Sequence, residues 1–261
     1  FWQESIHRFL SDIKAWGAAI RGEFFVFPNG LHGRAHFVGT RFRDCDLAMD
    51  ENSSGDLSGN PGVGNLHVIA GLHVRRYNYN TLLYKYVAGT GARCRGNVLA
   101  YCGYPQQDLP NLGPNFNTAV LGHAEAAAFG GGGCYAPTAF TEGAAQAIAV
   151  MNEFFRKNEA LYVGKYPFGQ VAVLGFALPS YFGDRQAYAN TASVLGVLMD
   201  AGLLADIVPE RVFSLQWLSR WPMVVLPGVR YLADAQLQTL LAYTQAGGKL
   251  ILAGSDNGVY D

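Results

Sequence analysis

Two adjacent carboxylates, Asp50 and Glu51, close the run CDLAMDEN at residues 45–52. The run reads as a short strand over 45–50 that ends on the acidic pair, with Asn52 next in line. Where parallel strands alternate with helices, catalytic groups gather at the strand ends. A carboxylate there can serve as general acid, general base or nucleophile, with a partner carboxylate about 5 to 9.5 Å away on another strand. Glu51 has the longer reach. Strand alternation puts Asp46, Ala48 and Asp50 on one face, which makes Asp50 the inward candidate. The competing reading is a polar cap on a strand end, paired with Arg41 or Arg43.

Other residues could line a cleft around that pair. Asn29 follows an apolar run and could hydrogen-bond a hydroxyl, although Pro28-Asn29-Gly30 is also ordinary turn chemistry. Tyr101, Tyr104 and Tyr135 fall at or just after expected strand ends. They could stack on sugar faces or pack beneath loops. His32 and His36 have i, i+4 spacing, but they lie in a loop and no acidic third ligand is spaced with them, so no metal site is expected. Glu125 and His123 are expected on a solvated or interface face of an Ala-rich helix. Gly130 to Gly133 lack the lysine of a phosphate-binding loop and read as a flexible turn. The cysteines at 45, 94, 102 and 134 form no C-x-x-C pair, which disfavours zinc and redox motifs and weakly favours a reducing compartment, with a cytoplasmic location slightly preferred.

The elements that must hold these residues alternate. Apolar spacing predicts a helix over 5–20, stopped by Gly22. Short buried strands are expected at 24–27, 45–50, 97–102 and 134–136, and helices near 67–90, 117–129 and 142–159. Loops after the strands are longer than those before them, as in a barrel that works at its strand C-termini. A (β/α)8 barrel needs eight strands and about 250 residues. Residues 1–163 are therefore expected to be the C-terminal half of a TIM barrel, strands five to eight. The chain, which opens on Phe1, is expected to be a piece of a longer protein. Gly164, Pro167 and Gly169 mark a linker. From 170 to 261 a second pattern follows: strands at 171–176, 205–208, 223–226 and 249–253, and helices at 185–202 and 234–246. That order predicts a doubly wound, flavodoxin-like parallel sheet.

The chain has 261 residues, 50% of them hydrophobic and 15% charged, with a net charge of -1. That composition is globular. There is no basic patch to suit nucleic acid, and no run near the ~18 apolar residues of a membrane span. The segment WPMVVLPGVRYLADAQLQTLLAYTQAGGKLILAG resembles the trimerisation domain of family 42 β-galactosidases, which has a class I glutamine-amidotransferase-like fold. CDLAMDEN and AEAAAFGGGGCY look like the closing part of the barrel that precedes that domain in such proteins. The resemblance implies an enzyme of the glycoside hydrolase class, a carbohydrate substrate, no cofactor, and self-assembly through the second domain. It also implies an acid/base after strand four and a nucleophile on strand seven. The expected strand seven, NVLAYCGYP, carries no Glu, so those roles do not transfer and the acidic pair at 50–51 remains. No cysteine or histidine follows Cys134, which excludes glutaminase chemistry from the second domain. The alternative is a non-catalytic carbohydrate-binding protein or assembly scaffold.

Overall fold

The computed structural model describes residues 2–26, 46–52, 79–89, 95–100, 116–129, 131–135, 142–163, 165, 169–176, 186–254 and 257–258. Helix α1 (Trp2–Arg21) ends at Gly22, whose φ of 80° suits a residue with no Cβ. Leu10 and Ile13 of α1 lean on the core, while Phe9, Trp16 and Ile20 of the same helix are exposed. Strand β1 (Leu47–Asn52) opens a parallel sheet. Helix α2 (Tyr79–Gly89) separates it from β2 (Arg95–Ala100), and α3 (Phe116–Ala128) separates β2 from β3 (Gly132–Tyr135). The sheet order is β1-β2-β3, so each strand lies beside its successor with a helix between them in sequence. Helices α4 (Glu142–Lys157) and α5 (Glu159–Tyr162) follow, with α4 packed on α3.

The second sheet runs β5-β4-β6-β7 and is parallel throughout. Its members are β4 (Val171–Gly175), β5 (Ala205–Pro209), β6 (Met223–Pro227) and β7 (Lys249–Ala253). Every residue of β4 and β5 is buried, which continuous apolar runs allow when helices cover both faces. Val171, Val173, Ile207 and Val225 face α2 and helix α6 (Gln186–Asp200). Ala172, Leu174, Val208, Val224 and Leu226 form the opposite face with α7 (Leu215–Leu218) and α8 (Asp234–Gln245). At the start of α8 the Gln236 side-chain oxygen accepts from the Ala233 amide at 3.0 Å. This is half of a capping box, since Ala233 has no side-chain acceptor. The molecule is thus an α/β protein with a four-stranded parallel sheet and many helices.

Helix α2 is the element on which both sheets meet. Thr81, Leu82, Tyr84, Lys85, Tyr86 and Val87 are all buried. A helix buried on every side must lie between layers. It packs on β2 and β1 and, elsewhere on its surface, on β5. The Tyr84 ring occupies the space a Cβ would take at Gly131, just before β3. The Tyr86 ring does the same at Gly175, the end of β4, and stacks on Tyr188 of α6 with centroids 5.6 Å apart. One core cluster therefore joins residues from both sides of the expected linker.

Four local expectations change. The first strand of the sheet begins at Leu47 and runs through Asn52, because β2 offers a partner as far as Ala100. Gly132 and Gly133 belong to β3 rather than to a turn; pairing with Asn97 and Val98 overrides their weak strand preference. The helix expected over 142–159 breaks at Asn158, whose side-chain amide donates to the Phe154 carbonyl at 2.7 Å. Residues 23–26 lie outside any strand, and Phe27 falls outside the described residues.

Candidate active site

The candidate site is built on the C-terminal edge of the first sheet. Register places Asn52 beside Ala100, and Ala100 beside Tyr135. The row beneath joins Glu51, Leu99 and Cys134, and the next joins Asp50, Val98 and Gly133. Three of the residues singled out by sequence, Glu51, Asn52 and Tyr135, thus fall within two rows at one sheet edge. Neighbouring strands are about 4.8 Å apart, so Asn52 and Tyr135 sit roughly 10 Å apart across the sheet. That span suits a ligand the size of one sugar ring. The acidic pair lies within the last three residues of β1 rather than beyond the strand. Asn29, Tyr101 and Tyr104 lie outside the described residues; Tyr101 directly follows Ala100 in sequence.

The root of β1 is anchored by charge. Asp46 accepts from the Lys14 ammonium at 2.7 Å and from the Val26 amide at 2.9 Å. The Asp46 amide in turn donates to the Val26 carbonyl at 3.1 Å. Burial pushes the Asp46 carboxyl up, but the hydrogen bonds from Lys14 and Val26 and the Lys14 charge outweigh it and hold the carboxyl below its ordinary value. Asp46 therefore fixes α1 against the start of the strand that carries the acidic pair.

Two polar residues of α3 lie on the packed side of the helix. Glu125 is not a solvated surface group. Its Oε1 accepts from the Thr81 amide at 2.7 Å and from the Thr81 hydroxyl at 2.6 Å, which satisfies a donor in the first turn of α2 and sets a negative charge at that helix N-terminus. His123 is buried, with Nδ1 3.1 Å from the Ala119 carbonyl. Burial lowers its pKa, which the bond to Ala119 only partly opposes. Sequence reading left both between a solvated and an interface face because an Ala-rich helix has little apolar contrast to orient it.

Sequence reading also missed a buried charged cluster. Lys85 of α2 donates to Asp206 Oδ1 at 2.7 Å. The Gly169 amide and the Trp221 indole donate to Asp206 Oδ2 at 2.5 and 3.1 Å. The Phe129 ring lies 5.2 Å from the ammonium. Asp206, inside an apolar strand at ADIVP, was the available signal: a lone carboxylate in a buried strand needs a cation. Among the described residues no group of three His, Cys, Asp or Glu could hold a metal ion, and no helix is long and apolar enough to cross a membrane.

No family model matches the chain, and no curated protein matches it. Among solved structures, an alpha-L-fucosidase is similar. It is alpha-L-fucosidase isoenzyme 2 from Paenibacillus thiaminolyticus, with 18% identity and a TM-score of 0.49. The match covers 70% of this chain and 28% of the fucosidase chain, so this chain spans little more than a quarter of that structure's length.

Proposed function

We propose that this chain belongs to a glycoside hydrolase and supplies one of its catalytic carboxylates from β1. The observation that carries the reading is the register at the strand ends. It gathers an acidic pair, an amide and an aromatic residue at one edge of a parallel sheet. A strand-end carboxylate provides acid, base or nucleophile, while Asn52 and Tyr135 offer a hydrogen-bonding and a stacking group for a sugar. Glu51 is the first choice for the catalytic role and Asp50 the second. The second carboxylate of the mechanism comes from another segment. Asn29, Tyr101 and Tyr104 complete the proposed sugar-binding set. In this reading residues 1–163, with the first sheet, are the C-terminal half of a (β/α)8 barrel, strands five to eight, and 170–261 form an amidotransferase-like domain through which copies associate. The resemblance of WPMVVLPGVRYLADAQLQTLLAYTQAGGKLILAG to the trimerisation domain supports that assignment. No cofactor is required.

The test is hydrolysis of a panel of aryl glycosides by the protein that contains this chain, beside Glu51→Gln and Asp50→Asn. Loss of about 10² to 10⁴ in rate in one variant, with folding retained, would assign the general acid or base. Unchanged rates in both variants would remove β1 from the chemistry. A second reading, carbohydrate binding without turnover, is favoured by one observation: β2 carries no carboxylate on any of its six residues. Sugar binding by calorimetry with no hydrolysis of any substrate would establish it.

A further inference from the structure

We propose that the Lys85–Asp206 ion pair is a latch that makes the strand carrying Asp50 and Glu51 depend on the four-stranded sheet. The inference concerns the coupling of the two sheets and holds whatever chemistry β1 performs. Helix α2 is the crossover between β1 and β2, and it covers both strands. The same helix lies against β5, where Lys85 enters the second sheet and meets Asp206. Side-chain exposure is 3% for Lys85 and 13% for Asp206, so the pair is shielded from water. The remaining oxygen of Asp206 is held by Gly169 and Trp221, one before β4 and one before β6. The carboxylate is thus fixed by three segments of the second sheet and presents one oxygen to α2. Apolar packing alone lets a helix slide, because it is non-directional. A desolvated charge pair with satisfied hydrogen bonds specifies one position.

Removing one partner leaves the other charge buried and uncompensated, which is far more costly than removing both. In Asp206→Asn the Lys85 ammonium loses its counter-charge while the amide keeps the carboxylate's shape. The helix must then move so that the ammonium reaches water, and β1 and β2 lose their cover.

The experiment is amide hydrogen exchange on the whole chain, read by element. In Asp206→Asn the amides of α2, β1 and β2 are expected to exchange about a hundredfold faster, with smaller change in β6, β7 and α8. Acceleration confined to α2 and β5, with β1 and β2 unchanged, would overturn the proposal. The double variant Lys85→Met with Asp206→Leu removes both charges at similar volume and is expected to fold and to restore slow exchange in β1 and β2. Exchange there as fast as in the single variant would also overturn it. Leu240→Ala opens a cavity on the opposite face of the sheet, against α8. It is expected to loosen α8, β6 and β7 while sparing β1. Equal loosening of β1 would mean general cooperativity and no latch.

Discussion

A single residue's neighbours decide whether a carboxylate is structural or free for chemistry. Asp46 and Asp50 share a parity in the same run, yet Asp46 is held by Lys14 and the Val26 amide. Its folded pKa lies below the ordinary carboxylate value. A carboxyl whose pKa falls on folding stabilises the native state above the unfolded value, and that contribution is lost as pH falls through the folded value. Asp46→Asn is therefore expected to lower stability at neutral pH and to flatten the part of the acid limb below about pH 4. Urea titrations of both proteins from pH 2 to 7 check this; parallel curves would deny Asp46 the role. Glu125 makes the same point from the other direction. Its charge would suit a solvent face, but the Thr81 donors consume it.

Whole elements fit together here through close approaches that glycine permits. Gly89 ends α2 against β5, and a Cβ there would land on the Ile207 carbonyl oxygen and the Pro209 ring. Neither is the free end of a flexible side chain, so α2 would have to back away from the sheet. Gly89→Ala is expected to destabilise the protein by about 1 to 3 kcal/mol, the usual range for forced overpacking. Gly202→Ala meets nothing within 4 Å and is a control for backbone strain alone, since its φ is 72°. No loss in Gly89→Ala, from chemical denaturation, would show that helix-to-strand contact at Gly89 contributes nothing. The same close fit explains why Tyr84 and Tyr86 sit in a helix rather than in a cleft. Their rings fill space left by Gly131 and Gly175.

At the scale of the whole molecule, β7 is an exposed margin among the described residues. It is one of the two outer strands of the second sheet, with Ile251 44% exposed and Leu252 59% exposed. Leu237 and Leu241, one turn apart on α8, are also exposed. An uncovered apolar edge strand is a template for pairing with another chain. The proposed association through 170–261 is therefore expected to run through β7. Light scattering coupled to gel filtration should give a mass above the monomer for the unaltered chain. Ile251→Lys with Leu252→Lys should return it to one copy. A monomer before substitution would count against self-assembly by this edge.

The sequence alone determined which segments alternate between strand and helix. The second sheet was legible almost to the residue, because VAVLG, ADIVP, MVVLP and KLILA are short apolar runs bounded by Gly, Pro and polar turns. Local periodicity and turn chemistry suffice for that. It also singled out Asp50, Glu51, Asn52 and Tyr135, though only pairing through β2 put them at one edge. Tertiary structure decided what lies between the sheets. Lys85 and Asp206 are 121 residues apart, and no local pattern relates them. Helix α2 carries no amphipathic contrast to orient it, because it is covered on all sides. Desolvation acts on whole layers at once, so a buried charge can only be assigned its partner when the layers are in place.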